Sequence, residues 1–182
     1  MDKTTKKTIK FFSILEHEKE EKYLREMHKS GWKFVKISKL GFIYYFEKCE
    51  PEDVIYQLDY NKDGIEHKDE YVKMFNDCGW EYMMDYVGYS YFRKPASEMT
   101  ENEETIFCDD SSRLEMLERV YKGRVVPLFF IFFMVIIPQL VLSITIYEEP
   151  ALVAFYSAAL VIYLCLFIGF AKKYKKYKNN LE

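Results

Sequence analysis

The sequence contains no Cys-x-x-Cys pair, no Gly-rich phosphate loop and no nucleophile elbow. Its three histidines, His17, His28 and His67, are scattered without metal-ligand spacing, and Cys49, Cys78, Cys108 and Cys165 stand far apart. These absences speak against zinc, dithiol redox and nucleotide-phosphate chemistry, and thiols in a cytoplasmic domain are expected to be reduced. No apolar segment follows the opening Met-Asp-Lys-Thr-Thr-Lys-Lys, so no signal peptide is expected. An excess of basic charge is also missing. The formal net charge is −3, and setting aside the turn between the apolar runs and the lysine-rich tail leaves 21 basic and 26 acidic residues, or −5. Nucleic-acid binding, driven largely by phosphate neutralisation, is therefore not expected.

Long apolar runs are present in the last third. Residues 125–147 and 151–171 carry no charged side chain and are separated only by Glu148-Glu149-Pro150. At about 1.5 Å of rise per residue, either run as a helix spans the roughly 30 Å hydrocarbon core of a bilayer. Arg119, Lys122 and Arg124 precede the first run; Lys172, Lys173, Lys175, Lys176 and Lys178 follow the second. The positive-inside rule puts both basic flanks, and hence both termini, in the cytoplasm of a two-span membrane protein. The tail lysines, interleaved with tyrosines, are expected to snorkel to the interface and anchor on anionic lipid. The spans hold no ionisable carboxylate, lysine, arginine or histidine, which suits an anchor better than a transport pathway. Gln139 is their only amide, and Pro138 beside it is placed to kink the first span.

The first half of the chain is duplicated. Tyr23, Gly31 and Trp32 recur as Tyr71, Gly79 and Trp80, at a constant offset of 48. Tyr23, Leu24 and Met27, like Tyr71, Val72 and Phe75, have the spacing of a helix with one buried stripe. Gly31 and Gly79 are suited to the left-handed helix C-terminus. Aromatic and β-branched segments at 33–38 and 42–48, around Lys39-Leu40-Gly41, and at 81–86 and 89–94, around Val87-Gly88, predict hairpins. Further strands are predicted at 8–13 and 54–60. Each repeat, about 8–48 and 54–94, thus reads strand, helix, strand, strand. The expected fold is α+β: a ferredoxin-like six-stranded sheet in the order 2-3-1-4-6-5, with two helices on one face. Residues 1–95 form this cytoplasmic domain, 96–124 an acidic linker and juxtamembrane helix, 125–171 the spans and 172–182 the tail. Gly123 and Pro127 mark the expected entry to the first span.

Tyrosine crowds the hairpins at Tyr44, Tyr45, Tyr82, Tyr86, Tyr89 and Tyr91. Strand alternation sends neighbours to opposite faces, so half of them are expected on a sheet face that no helix covers. Tyr44, Tyr89 and Tyr91 are the candidates there for binding a protein partner or a second copy of the chain.

Asp59-x-Asn61-x-Asp63-Gly64, followed by Glu70, matches the spacing of a calcium-binding loop. Glu66 stands where that loop carries an apolar residue, the preceding segment reads as a strand, and no second loop accompanies it. The duplication already accounts for the segment as a strand, a solvated turn and a helix start, and no metal or other cofactor is expected. No pair of carboxylates stands out as a general acid and base.

Lys10-Phe11-Phe12, Gly31-Trp32, the aromatic hairpin ending at Phe46, Tyr56-x-Leu58-Asp59 and Gly79-Trp80 together resemble a bacterial family catalogued as domain of unknown function 2812, over roughly residues 8–95. The resemblance implies a C-terminal pair of membrane spans and genomic proximity to PadR-type transcription regulators. It brings no catalytic residues. The resulting expectation is a non-enzymatic, membrane-tethered sensing or partner-binding protein. The alternative is an accessory subunit of a membrane transporter or envelope complex, with an enzyme acting on lipid or a small molecule the weaker third reading.

Overall fold

The computed structural model describes residues 4–13, 16–60, 67–99 and 110–181. The chain divides into two compact units, Met1–Phe107 and Cys108–Glu182. The first runs β1 (Thr5–Ile9), α1 (His17–Lys29), β2 (Trp32–Ile37), β3 (Ile43–Lys48), β4 (Val54–Tyr60), α2 (Lys68–Asp77), β5 (Glu81–Tyr86) and β6 (Tyr89–Pro95). Two β-α-β-β halves are therefore present, as the duplication predicts. In each half the last strand lies between the other two and pairs antiparallel with both, giving the orders β1-β3-β2 and β4-β6-β5. The repeat extends to an irregularity in pairing. The register shifts between Phe34 and Lys36 on β2, and between Tyr82 and Met84 on β5, 48 residues on in both cases.

Local chemistry explains the element ends. Both helices stop before a glycine in the left-handed region, Gly31 at φ 81° and Gly79 at φ 80°. A residue with a Cβ pays a steric penalty there. The β5–β6 hairpin turns on Val87 at φ 51° and Gly88 at φ 84°. Two successive positive φ values form the type I′ turn that suits strand twist, although valine is poorly suited to the first position. The first strand corrects its sequence prediction. It runs Thr5–Ile9 and ends where Phe12 turns inward against Tyr23 and Tyr44.

The expected single sheet is not formed. The two three-stranded sheets are separate, and α1 packs against both β2 and β4. Two features of β4 explain this. The Leu58 amide, which could have paired with another strand, donates to the Glu21 carboxylate of α1 at 2.8 Å. A side chain thus occupies part of the edge that β1 was expected to take. In addition, both faces of the second sheet are apolar. Ile55 and Phe92 pack with Tyr82 under Tyr71 and Phe75 of α2, with Phe75 and Phe92 stacked at 4.0 Å. On the opposite face Tyr56 and Tyr91 meet the Phe34 ring of the first sheet. Helix α1 lies over that second aromatic surface, with its His17, Glu20 and His28 on Tyr89, Tyr91 and Tyr56, whereas a single sheet with both helices on the other face would leave it wet. The helices consequently do not share one face of one sheet. Leu24 of α1 is fully buried, a burial that stabilises by about 2 kcal/mol.

The second unit is a helical hairpin. Its first helix is continuous from Asp110 to Tyr147. Its α-helical segments α3 (Asp110–Val120), α4 (Val126–Ile131) and α5 (Ile137–Leu142) are joined and ended by π-helical turns Tyr121–Val125, Phe132–Ile136 and Ser143–Tyr147. Gly123 and Pro127, the expected entry to the first span, lie within this continuous helix. Pro127 and Pro138 each follow a π turn by two residues. The carbonyls their rings would strike, four residues back at Gly123 and Met134, lie within those wider turns. Glu148, left-handed at φ 49°, ends the helix, and α6 (Pro150–Leu181) returns. Phe129 stacks on Phe167 at 4.0 Å and Tyr121 on Phe170 at 5.4 Å. The segments Leu114–Tyr147 and Pro150–Lys176, of 34 and 27 residues, are each long and apolar enough to cross a membrane.

Candidate functional site

The tyrosines expected on an open surface lie in the core. Tyr44, Tyr89 and Tyr91 are 2, 6 and 1 % exposed. Tyr44 on β3 and Tyr91 on β6 donate to the same oxygen, Glu20 Oε1 of α1, at 2.8 and 2.7 Å. Tyr89 stacks on the buried His17 ring and meets Tyr60 edge-on. These residues are therefore corrected from a partner surface to an internal clasp. The physical reason is the placement of α1, whose His17, Glu20 and His28 meet Tyr89, Tyr91 and Tyr56 and so cover, together with Phe34, the side of the second sheet expected to be open.

The clasp is strongly polarised. Burial raises the Glu20 carboxyl above its ordinary range, opposed by the two tyrosine hydroxyls that stabilise its anion. Burial, and then the nearby Glu20 charge, pushes both phenols far up, so they remain donors across the biological range. At the other end of α1, His28 Nδ1 lies 2.8 Å from Tyr56 Oη. Burial lowers the His28 pKa, and the Arg93 charge adds to this. Arg25 forms two hydrogen bonds with Asp53, at 2.6 and 2.8 Å, and Lys29 approaches the same carboxylate at 3.2 Å. Asp53 sits in the connection between the halves, and Arg25 first, then Lys29, hold its pKa at about 2.

Among the described residues, one face of the first sheet has no such cover. Register places Lys7 and Lys36 beside Tyr45, with Lys33 opposite Glu47 on the same side. The ammonium groups of Lys7 and Lys36 lie 5.3 and 5.4 Å from the centre of the Tyr45 ring. Phe34, Tyr44 and Phe46 occupy the reverse, buried side. The outward tyrosine is thus Tyr45, one residue from the expected Tyr44. Strand alternation alone gives two alternating sets without saying which is wet. The lysines opposite Tyr45 on both neighbouring strands are the sequence signal that could have chosen between them. The structure therefore offers a basic, aromatic sheet surface built from Lys7, Lys33, Lys36 and Tyr45, with Glu47 at its margin.

The calcium-loop residues do not come together as one described site. Asp59 accepts a 2.7 Å hydrogen bond from Tyr71 Oη, and Glu70 lies in the first turn of α2. Asn61 and Asp63 lie outside the described residues. Cys49, Cys78 and Cys165 are free thiols, and Cys108 lies outside the described residues. Lys172, Lys173, Lys175, Lys176 and Lys178 all lie on the last three turns of α6. The stack of Tyr121 on Phe170 brings that end of α6 alongside the basic segment containing Lys122 and Arg124.

No curated protein and no solved structure matches the chain. The family described as "Protein of unknown function (DUF2812)" matches residues 16–131, from the start of α1 to the end of α4. That region leaves out Lys10-Phe11-Phe12 but takes in the other motifs that carried the resemblance, and it reaches past residue 95 into the first apolar helix. With well over half its length matched, this chain belongs to the DUF2812 family.

Proposed function

We propose that this chain is a membrane-tethered cytoplasmic binding module that docks a protein partner on the open face of its first sheet and regulates it there. The observation that carries the reading is the asymmetry between two related halves. Both faces of the second sheet are packed, whereas one face of the first presents Tyr45 among Lys7, Lys33 and Lys36. A basic surface around an aromatic ring suits an acidic partner surface, with tyrosine supplying amphipathic contact area. Carboxylates in the unit serve structural pairings: Glu20 with tyrosines, Glu21 with a strand amide, Asp53 with Arg25 and Glu81 with Arg93. This use of the acids supports binding over catalysis.

The hairpin supplies the tether in this reading. Its apolar helices insert into the cell membrane, and the basic flanks at one end place both termini in the cytoplasm. The Glu148-Glu149 turn lies outside. The test is a photo-crosslinking residue at position 45 in the membrane-bound chain. A protein adduct of discrete mass is expected, and it should disappear when Lys7→Glu and Lys36→Glu are added. No adduct, or one indifferent to those reversals, would reject the reading. Replacing the spans by an unrelated apolar hairpin should leave the adduct intact. Its loss would favour the accessory-subunit alternative, in which the spans themselves make the contact.

A further inference from the structure

The most exposed apolar side chains described in the first unit gather at one end of it. Ile9, Phe11 and Leu40 are 77, 79 and 74 % exposed. Register brings them together: Ile9 lies opposite Ile43, and the Lys10 amide donates to the Phe42 carbonyl. Phe11 therefore lies beside the β2–β3 turn that carries Leu40. The β5–β6 turn joins the same end, because Tyr86 Oη donates to the Lys39 carbonyl at 3.4 Å and Val87 follows it with its side chain exposed. Lys10 and Lys39 flank this apolar tip, and both are exposed.

We propose that this tip dips into the headgroup region of an anionic leaflet, as a second membrane contact besides the helical hairpin. The proposal rests on the tether described above. Two facts select lipid over a protein groove. The apolar residues sit on separate loop ends rather than in a concave or continuous strip, which suits insertion among mobile lipids. The flanking charge is basic although the unit as a whole is acidic, complementary to anionic headgroups. Apolar side chains enter the interface while the lysines remain at headgroup level. Docking there would also fix the orientation of the open sheet face relative to the leaflet, so that a partner meets it from a defined side.

The test uses the full chain in nanodiscs carrying one copy each, with its native cysteines replaced by serine. An environment-sensitive fluorophore is placed at Leu40→Cys or, as a reference on α2, at Met74→Cys. In discs containing phosphatidylglycerol and nitroxide-headgroup lipid, label 40 should be quenched at least about twofold more than label 74. Lys10→Glu with Lys39→Glu should reduce the docked population by roughly tenfold or more, while tryptophan emission from the folded unit stays unchanged. Equal quenching of the two labels in anionic discs would overturn the proposal. So would quenching indifferent to charge reversal. Failure of the chain to enter discs would instead overturn the tether, and with it the proposal. Tip docking that fails in correctly loaded discs leaves the tether standing.

Discussion

Tyr91, on the last strand of the duplicated unit, donates a 2.7 Å hydrogen bond to Glu20, on its first helix, across 71 residues of sequence. Tyr44 donates to the same oxygen, so a single carboxylate ties the two halves together. Glu20→Ala should leave two buried hydroxyls without their acceptor and cost about 2–4 kcal/mol. Glu20→Gln keeps an acceptor at that position and should cost much less. Urea unfolding of the full chain, followed by fluorescence of Trp32 and Trp80, measures both.

The pH dependence has opposite signs at two sites. Because folding raises the Glu20 pKa, its contribution to stability is present below the ordinary carboxyl range and lost as pH rises through its folded value. The stability of Glu20→Gln relative to wild type should therefore rise through that window. Asp53 is lowered to about 2, so its contribution is present above its ordinary pKa near 3.9 and is lost as pH falls towards 2. Asp53→Asn should cost about 1 kcal/mol at pH 7, after allowance for solvent screening, and little at pH 2. Unfolding midpoints across pH 2–8 check both signs.

Glu21 protects the edge of β4 through the Leu58 amide. Glu21→Ala should remove about 1 kcal/mol or more of stability and promote concentration-dependent self-association through the freed edge. Glu21→Gln should restore much of both properties. Unfolding curves and sedimentation in detergent distinguish the variants.

Val87 occupies the left-handed region at φ 51°, where a β-branched residue is strained. Val87→Asn should stabilise the hairpin by about 1 kcal/mol, visible as a higher Tm of the tryptophan-monitored transition. Val87→Ile, which keeps the branch, should not.

Secondary structure was largely legible because local chemistry sets it. The predicted limits of β4 and β5 coincide with the observed ones, and Gly31 and Gly79 end their helices as expected. Period-two alternation also grouped Tyr89 with Tyr91 correctly. What alternation cannot convey is which group a distant element will cover. The Glu21–Leu58 contact spans 37 residues and has no local signature, yet it helps separate the sheets and so helps decide the fate of Tyr89 and Tyr91. The same gap displaced the candidate surface from Tyr44 to Tyr45. Likewise, the π turn that holds Gly123 and precedes Pro127 within a continuous helix has no local sequence signature.

The sharing of α1 has a consequence for cooperativity. Duplication often yields modules that can open one at a time, but here one helix contributes Leu24 to the core, Glu20 to tyrosines from both sheets and Glu21 to an edge of the second. Neither repeat keeps its interior when the other leaves, so the unit should melt in one transition. A chain cut in the connection near Asp53 should yield two incomplete fragments rather than two small stable domains.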